Sequence, residues 1–224
     1  MFGDYRQIFE TEKHKKPRYV STASNQELNR AVIADRASTI RRSLNGRSIV
    51  LVGIMGVGKS TIGKRLSQYL DIPFVDADKE IEKAAGMSVE DIFEQFGEEA
   101  FRSGEKKVIR RLLDEGQKIL ATGGGAFMNE ATRDEIQECG VSVWLKADLE
   151  VLMKRVQRRS DRPLLKTEDP EGTMRSLLDE RNPIYALADL EIESRTVSRD
   201  VIAGEVVDML AEALPDIADK RGWK

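Results

Sequence analysis

Ser48-Ile-Val-Leu-Val-Gly-Ile-Met-Gly-Val-Gly-Lys-Ser-Thr61 decides how the rest of this chain is read. Its first half, ending at Val52, is a short apolar run of the kind that forms a buried strand. From Gly53 to Thr61 it fits G-x-x-x-x-G-K-[ST], and the helical pattern of Ile62 to Leu70 follows directly. Strand, loop and helix in that order are the context this motif needs to bind phosphate. Gly53, Gly56 and Gly58 allow backbone conformations that a Cβ would block, so successive N–H groups can turn inward around an anion. The helix that opens at Lys59 adds unpaired N–H donors and the positive end of its dipole. Gly56, Val57, Gly58, Lys59, Ser60 and Thr61 are therefore expected to hold the phosphates of a nucleoside triphosphate. Lys59 would reach the β- and γ-phosphates, and Ser60 would offer its hydroxyl to Mg²⁺.

Outward from this loop, short apolar strands alternate with helical patterns, the signature of a parallel sheet covered on both faces. Strands are expected at Ser48–Gly53, Pro73–Asp76, Lys118–Thr122, Val141–Leu145 and Asp189–Glu193. Helices are expected at Lys59–Leu70, within Lys79–Phe96, and at Glu98–Glu115, Glu130–Glu138, Asp148–Arg158, Gly172–Leu187 and Arg199–Leu214, the last stopping before Pro215. The fold class is α/β with a five-stranded parallel sheet. Residues 1–45 differ from the rest. Met1 to Ser21 is polar and aperiodic and reads as mobile. Ser24 to Glu27 has capping-box spacing, with Leu28, Val32, Ile40 and Leu44 on compatible positions of one weakly amphipathic helix. That helix could pack on the core, pair with another subunit or do neither.

With 224 residues, 33% of them charged and a net charge of −3, the chain suits one soluble domain and not a nonspecific nucleic-acid binder. A single cysteine excludes an intrachain disulfide, and a single histidine makes histidine catalysis a poor explanation. No apolar run approaches the roughly 20 residues that span a bilayer, and no apolar signal core opens the chain. A cytoplasmic setting is expected, with no membrane partner.

Four further stretches carry candidate chemistry. Asp76 and Asp78 close the second strand two residues apart, so both carboxylates can face one side; Asp76 toward hydrated Mg²⁺ and Asp78 toward a substrate hydroxyl is one division of labour, helix capping the other. Arg102 and Glu105 are neighbours on a helix face, either a surface ion pair or a guanidinium fork oriented for a carboxylate. Gly123, Gly124 and Gly125 follow the third strand and admit close backbone approach to a small ligand. Lys154, Arg155, Arg158, Arg159 and Arg162 place five cations within nine residues before Pro163. Such repulsion suits a flap closing over polyphosphate, with Arg162 as the phosphate-contacting cation, although a solvated basic surface is the alternative. Arg181, before Pro183, could aim its fork at the same carboxylate as Arg102, or lie on a helix surface.

Together these motifs resemble the shikimate kinase family from about Gly46 to Leu214. The carriers are Gly53–Thr61, Phe74-Val-Asp-Ala-Asp78 with Ile81-Glu82, Gly86-Met-Ser-Val-Glu-Asp-Ile-Phe93, Phe96 to Glu105, Gly123–Gly125, Arg162-Pro-Leu-Leu165 and Arg181-Asn-Pro-Ile-Tyr185. The resemblance implies a three-layer α/β/α P-loop kinase of the nucleoside-monophosphate-kinase type. It implies ATP-dependent phosphorylation of the 3-hydroxyl of shikimate on the route to chorismate, by a monomer using Mg²⁺. It also implies that Asp78, Arg102, Gly124 and Arg181 hold shikimate, with Glu105, Gly123 and Gly125 beside them. Lys59, Asp78 and Arg162 are the implied catalytic residues, Ser60 and Asp76 the implied metal site, and Arg155 a flap residue near the adenine. Residues 79–115 would form the substrate-binding part, 155–167 the lid and 215–224 a tail. Another small-molecule P-loop kinase, acting on gluconate, an aminoshikimate or a nucleoside monophosphate, and a nucleotide-controlled switch without kinase turnover are the competing readings.

Overall fold

The computed structural model describes residues 30–156 and 167–223. Five strands, β1 (Ser48–Val52), β2 (Phe74–Asp76), β3 (Ile119–Ala121), β4 (Gly140–Lys146) and β5 (Leu190–Glu193), form one sheet in the order β2-β3-β1-β4-β5. Every pairing is parallel. All five residues of β1 are buried, as they must be where helices cover both faces of a sheet. The chain leaves β1 between β3 on one side and β4 on the other. The loop after β1 therefore opens at the point where strand order reverses, which is where α/β sheets bind ligands.

The helices are α1 (Arg30–Leu44), α2 (Lys59–Leu70), α3 (Ala77–Ala85), α4 (Val89–Asp114), α5 (Glu130–Cys139), α6 (Leu149–Val156), α7 (Pro170–Tyr185) and α8 (Arg199–Lys220), with a short 3₁₀ turn at Ala126–Met128. The expected stretch Lys79–Phe96 is two helices. Gly86 ends α3 in the left-handed region at φ 70°, and Ser88 starts α4 with a capping box closed by Asp91. Gly97, at φ 80° and ψ 172°, then kinks α4 where two helices were expected to meet.

Two further expectations are corrected. The last helix does not stop before Pro215 but runs through it to Lys220. Proline costs a hydrogen bond inside a helix, yet Leu214 and Ala218 on either side of it are buried. Beyond the helix, Arg221 donates to Gly140 O at 2.9 Å and to Asp189 at 2.5 Å. Packing and these bonds outweigh the local defect. Among the three options left open for the first helix, the structure takes the first: α1 packs against α2 and α8. Ile40 and Leu44 are fully buried in the main core, Arg36 pairs with Asp208, and Arg41 donates to Leu70 O at 2.7 Å. The boundary expected at residues 45 and 46 falls inside this packing.

Candidate active site

The phosphate loop has the backbone its sequence calls for. Gly53, Gly56 and Gly58 all have positive φ, at 132°, 81° and 107°. A Cβ at Gly56 would come within 2.7 Å of Val156 Cγ1, so α6 closes one side of the loop. Gly58 caps α2 without any side-chain hydrogen bond. The N-terminal N–H groups of α2 thus lack the oxygen that Ser, Thr or Asp supplies to most helices, and an anion can supply it instead. Lys59 is buried, its ammonium donating to Gly53 O at 2.6 Å and Ile54 O at 3.0 Å.

Asp76 occupies the N-cap position of α3 but makes no cap bond. It accepts instead from the Ser60 hydroxyl at 2.6 Å. The capping alternative therefore fails for Asp76, and the two expected metal-site residues stand together at the mouth of the loop.

The second half of the site forms around the three glycines. A Cβ on Gly123 would overlap Glu105 Oε1 and lie 2.9 Å from Asp78 Oδ1; one on Gly125 would overlap the Arg102 guanidinium. Only glycine lets the backbone pass this close to three charged side chains. Gly124 faces the other way, where a Cβ would sit 3.3 Å from Met55 N and 3.8 Å from Gly53 O, the carbonyl that holds Lys59. The glycine turn is thus the shared wall between the phosphate loop and the Asp78–Arg102–Glu105 cluster.

Arg102 donates to Glu105 at 2.7 Å and to Glu98 through two nitrogens at 3.0 and 3.2 Å. Burial pulls this guanidinium down, but Glu105 and Glu98 outweigh it and hold it above its ordinary value. Glu105 is almost wholly buried. Burial pushes its carboxyl up, the Arg102 charge opposes, Asp78 adds to the rise, and the net shift is upward. The pair is not a fully exposed one, since Glu105 lies inside the protein while the Arg102 side chain remains partly exposed.

Arg181 is buried on α7, and neither Nε nor Nη1 finds an acceptor in the described structure, while Glu105 Oε1 finds no donor. Buried polar atoms without partners are uncommon because each costs about 1–3 kcal/mol. Two guanidinium nitrogens and a carboxylate oxygen of this kind lie in one electrostatic neighbourhood with Arg102 and could bond a polar, anionic ligand. The surface alternative for Arg181 is excluded by its burial.

Sequence reasoning gave no role to Tyr185, one helical turn beyond Arg181. Its hydroxyl donates to Gly124 O, and its ring, fully buried, stacks on Phe127 and Trp144 at 6.4 and 5.9 Å between centroids. Burial drives its pKa to about 12. The four-residue spacing from Arg181 was the available signal. Arg155, expected near the adenine, donates to Val57 O, Ser194 Oγ and Arg195 O, and burial lowers its pKa. Arg158, Arg159 and Arg162 lie outside the described residues, as does most of the expected lid. An apolar cavity of about 390 Å³, lined by Ile81, Met87, Ile92, Phe96 and Phe101, lies in the groove between α3 and α4. Its walls carry no charge and do not suit a polyhydroxy acid.

Comparison with known proteins agrees with this geometry. The family model described as "Shikimate kinase" matches residues 55–211. A shikimate kinase of Bradyrhizobium diazoefficiens is 59% identical over 177 residues, covering 79% of this chain and 86% of that one. This chain belongs to the shikimate kinase family. A Brucella canis shikimate kinase is 52% identical over 179 residues, 80% of this chain and 90% of that one. A solved shikimate kinase from Acinetobacter baumannii, in complex with shikimate, superposes with TM-score 0.73 at 34% identity, covering 77% of this chain and 97% of its own. A gluconokinase from Sinorhizobium meliloti, 18% identical with TM-score 0.55 over 78% of this chain and 97% of that one, shares the fold alone. In this shikimate kinase-family chain, the residues that surround the glycine turn are the ones that the resemblance assigned to the acceptor.

Proposed function

We propose that this chain transfers the γ-phosphoryl group of ATP to the 3-hydroxyl of shikimate, giving shikimate 3-phosphate and ADP. The observation that carries the reading is the pair of unpartnered Arg181 nitrogens beside Arg102, across the glycine turn from Lys59. A ring carboxylate answers both guanidinium groups in bidentate fashion. With the acid end fixed there, Asp78 receives the reacting hydroxyl and takes or orients its proton. Phosphoryl transfer requires in-line positioning and charge neutralisation more than a strong base. Lys59 and the N–H groups of Gly56, Val57, Gly58, Ser60 and Thr61 neutralise the phosphates. Arg162, from the cation-rich stretch, adds charge at the moving phosphoryl group.

Mg²⁺ fits the oxygen pair of Ser60 and Asp76, a reading supported by the 2.6 Å hydrogen bond that brings the two oxygens together. Among the described residues no cluster of three His, Cys, Asp or Glu side chains exists. Two protein oxygens, with phosphates and water completing the octahedron, is how Mg²⁺ is commonly held in kinases. The ion would supply charge neutralisation between the phosphates. Residues 79–115 serve as the acceptor-binding part and 155–167 as the lid, closing out water that would otherwise hydrolyse ATP. The working unit we assign is a monomer. No described helix is long and apolar enough to cross a membrane, and the cytoplasm is the setting we assign.

A coupled ADP-release assay with shikimate, an aminoshikimate and gluconate as acceptors tests the reading. Mg²⁺-dependent turnover with shikimate well above the other two is expected, and chelation should abolish it. Transfer to gluconate with none to shikimate would overturn the assignment.

A further inference from the structure

Arg181 is a long side chain in the last turns of α7, buried where water cannot share in its solvation. A guanidinium fork binds a carboxylate well only when its plane is fixed beforehand, because ordering a rotamer-rich side chain at the moment of binding subtracts from affinity. Pro183, two residues further on, also removes the N–H that would tie this turn back to Asp179 O. A neighbouring group has to supply the restraint.

Tyr185 is placed to do so. It follows Arg181 by four residues, so the two side chains share one face of α7. Its hydroxyl donates to Gly124 O. With that proton committed, the oxygen can serve Arg181 only as an acceptor, and the Arg181 guanidinium faces it as a charge and as a donor. The ring is held in turn. Phe127 and Trp144 stack on it, and all three rings are buried. Trp144 also reaches the phosphate loop, where its Cδ1 lies 3.3 Å from the Cβ position of Gly53. The hydroxyl is therefore fixed relative to both the glycine turn and the phosphate loop.

We propose that Tyr185 is a positioning residue for the acceptor's carboxylate: its hydroxyl, anchored on Gly124 O, holds the Arg181 guanidinium so that Nε and Nη1, which find no acceptor among the described residues, are offered to the ligand. This rests on the reading that Arg181 grips a carboxylate. It gives the tyrosine a part in recognition as well as in packing. Without the hydroxyl the guanidinium keeps its charge and its burial but gains freedom to turn. A charged carboxylate then loses affinity, and a neutral analogue does not.

Calorimetric titration of shikimate and of its carboxamide tests this on wild type, Tyr185→Phe, Arg181→Met and the double variant, with thermal melts as a check on folding. Tyr185→Phe should lower the acid-over-amide affinity ratio about 10-fold, the usual worth of a hydrogen bond to a charged group. The carboxamide and ADP should each bind within twofold of wild type. In the Arg181→Met background the same substitution should change the ratio less than twofold, because the hydroxyl acts through Arg181. Ile40→Ala, which weakens the fold from α1, should leave the ratio unchanged, so a merely structural loss reads differently. Replacing Tyr185 by 4-aminophenylalanine keeps a donor for Gly124 O but offers Arg181 a poor acceptor. That variant should lower the ratio as Tyr185→Phe does, and it carries the test if Tyr185→Phe fails to fold. A ratio within twofold of wild type in folded Tyr185→Phe or, failing that, in the 4-aminophenylalanine variant would overturn the proposal. So would an undiminished loss in the Arg181→Met background. A wild type with no preference for the acid would instead refute the carboxylate reading, and the proposal with it.

Discussion

Arg102 illustrates how much chemistry one side chain can hold that charge alone does not describe. Its planar fork bonds Glu98 and Glu105 at once, and the same planarity is what a substrate carboxylate needs. Arg102→Lys keeps the charge and loses the fork, so shikimate affinity should fall about 10-fold or more while the fold persists; equal affinity in calorimetry would return Arg102 to a merely structural ion pair. Glu105 makes a pH prediction. Its folded-state pKa is raised above the ordinary 4.5 by burial, so the native state binds its proton more tightly than the unfolded chain does. Its contribution to stability is complete below about 4.5 and is lost as pH climbs through the raised value. Melting wild type and Glu105→Gln across pH 4.5 to 7.5 should show the wild type losing ground relative to the variant as pH rises. A gap that moves the other way would contradict the burial argument. Tyr185→Phe retains the stacked ring but orphans the Gly124 carbonyl, at a cost of about 1–3 kcal/mol. The KM for shikimate should rise more than that for ATP, because Gly124 sits between the two halves of the site.

At the scale of elements, the strands and the phosphate loop were readable because each is a local statement. Five consecutive buried residues in β1 and three positive-φ glycines require little beyond their own sequence. Asp78, Arg102, Glu105, Gly123–Gly125 and Arg181 could be named from motifs, yet their convergence could not, since it depends on α3, α4, α7 and the glycine turn meeting across long stretches of chain. Local signals misled where tertiary packing overrode them. Pro215 reads as a stop, but α8 continues because its next turn is anchored. The helix before β1 has a weak apolar pattern, but it fills the groove left by α2 and α8. Its importance is measurable: Ile40→Ala should cost about 2–5 kcal/mol, a fall in Tm on the order of 5–15 °C for a chain of this size. Removing residues 1–45 altogether should therefore damage folding as well as activity. A truncated chain with unchanged Tm would show that α1 is dispensable.

Over the whole molecule, the sheet's order places the two halves of the chemistry side by side. β1 delivers the phosphate loop, β2 delivers Asp76 and leads into α3 with Asp78 in its first turn, and β3, between the two strands, delivers the glycine turn that both halves share. The acceptor's carboxylate is the handle by which that arrangement aligns a hydroxyl with a phosphoryl group. The most direct measurement is calorimetric titration of shikimate and of its neutral carboxamide into wild type and Arg181→Met. Wild type should favour the acid over the amide by about 100-fold or more, as two charge-assisted pairs imply, and Arg181→Met should lose most of that preference. An acid-over-amide ratio as large in Arg181→Met as in wild type would contradict the account, because the buried guanidinium would then be holding something other than the substrate's carboxylate.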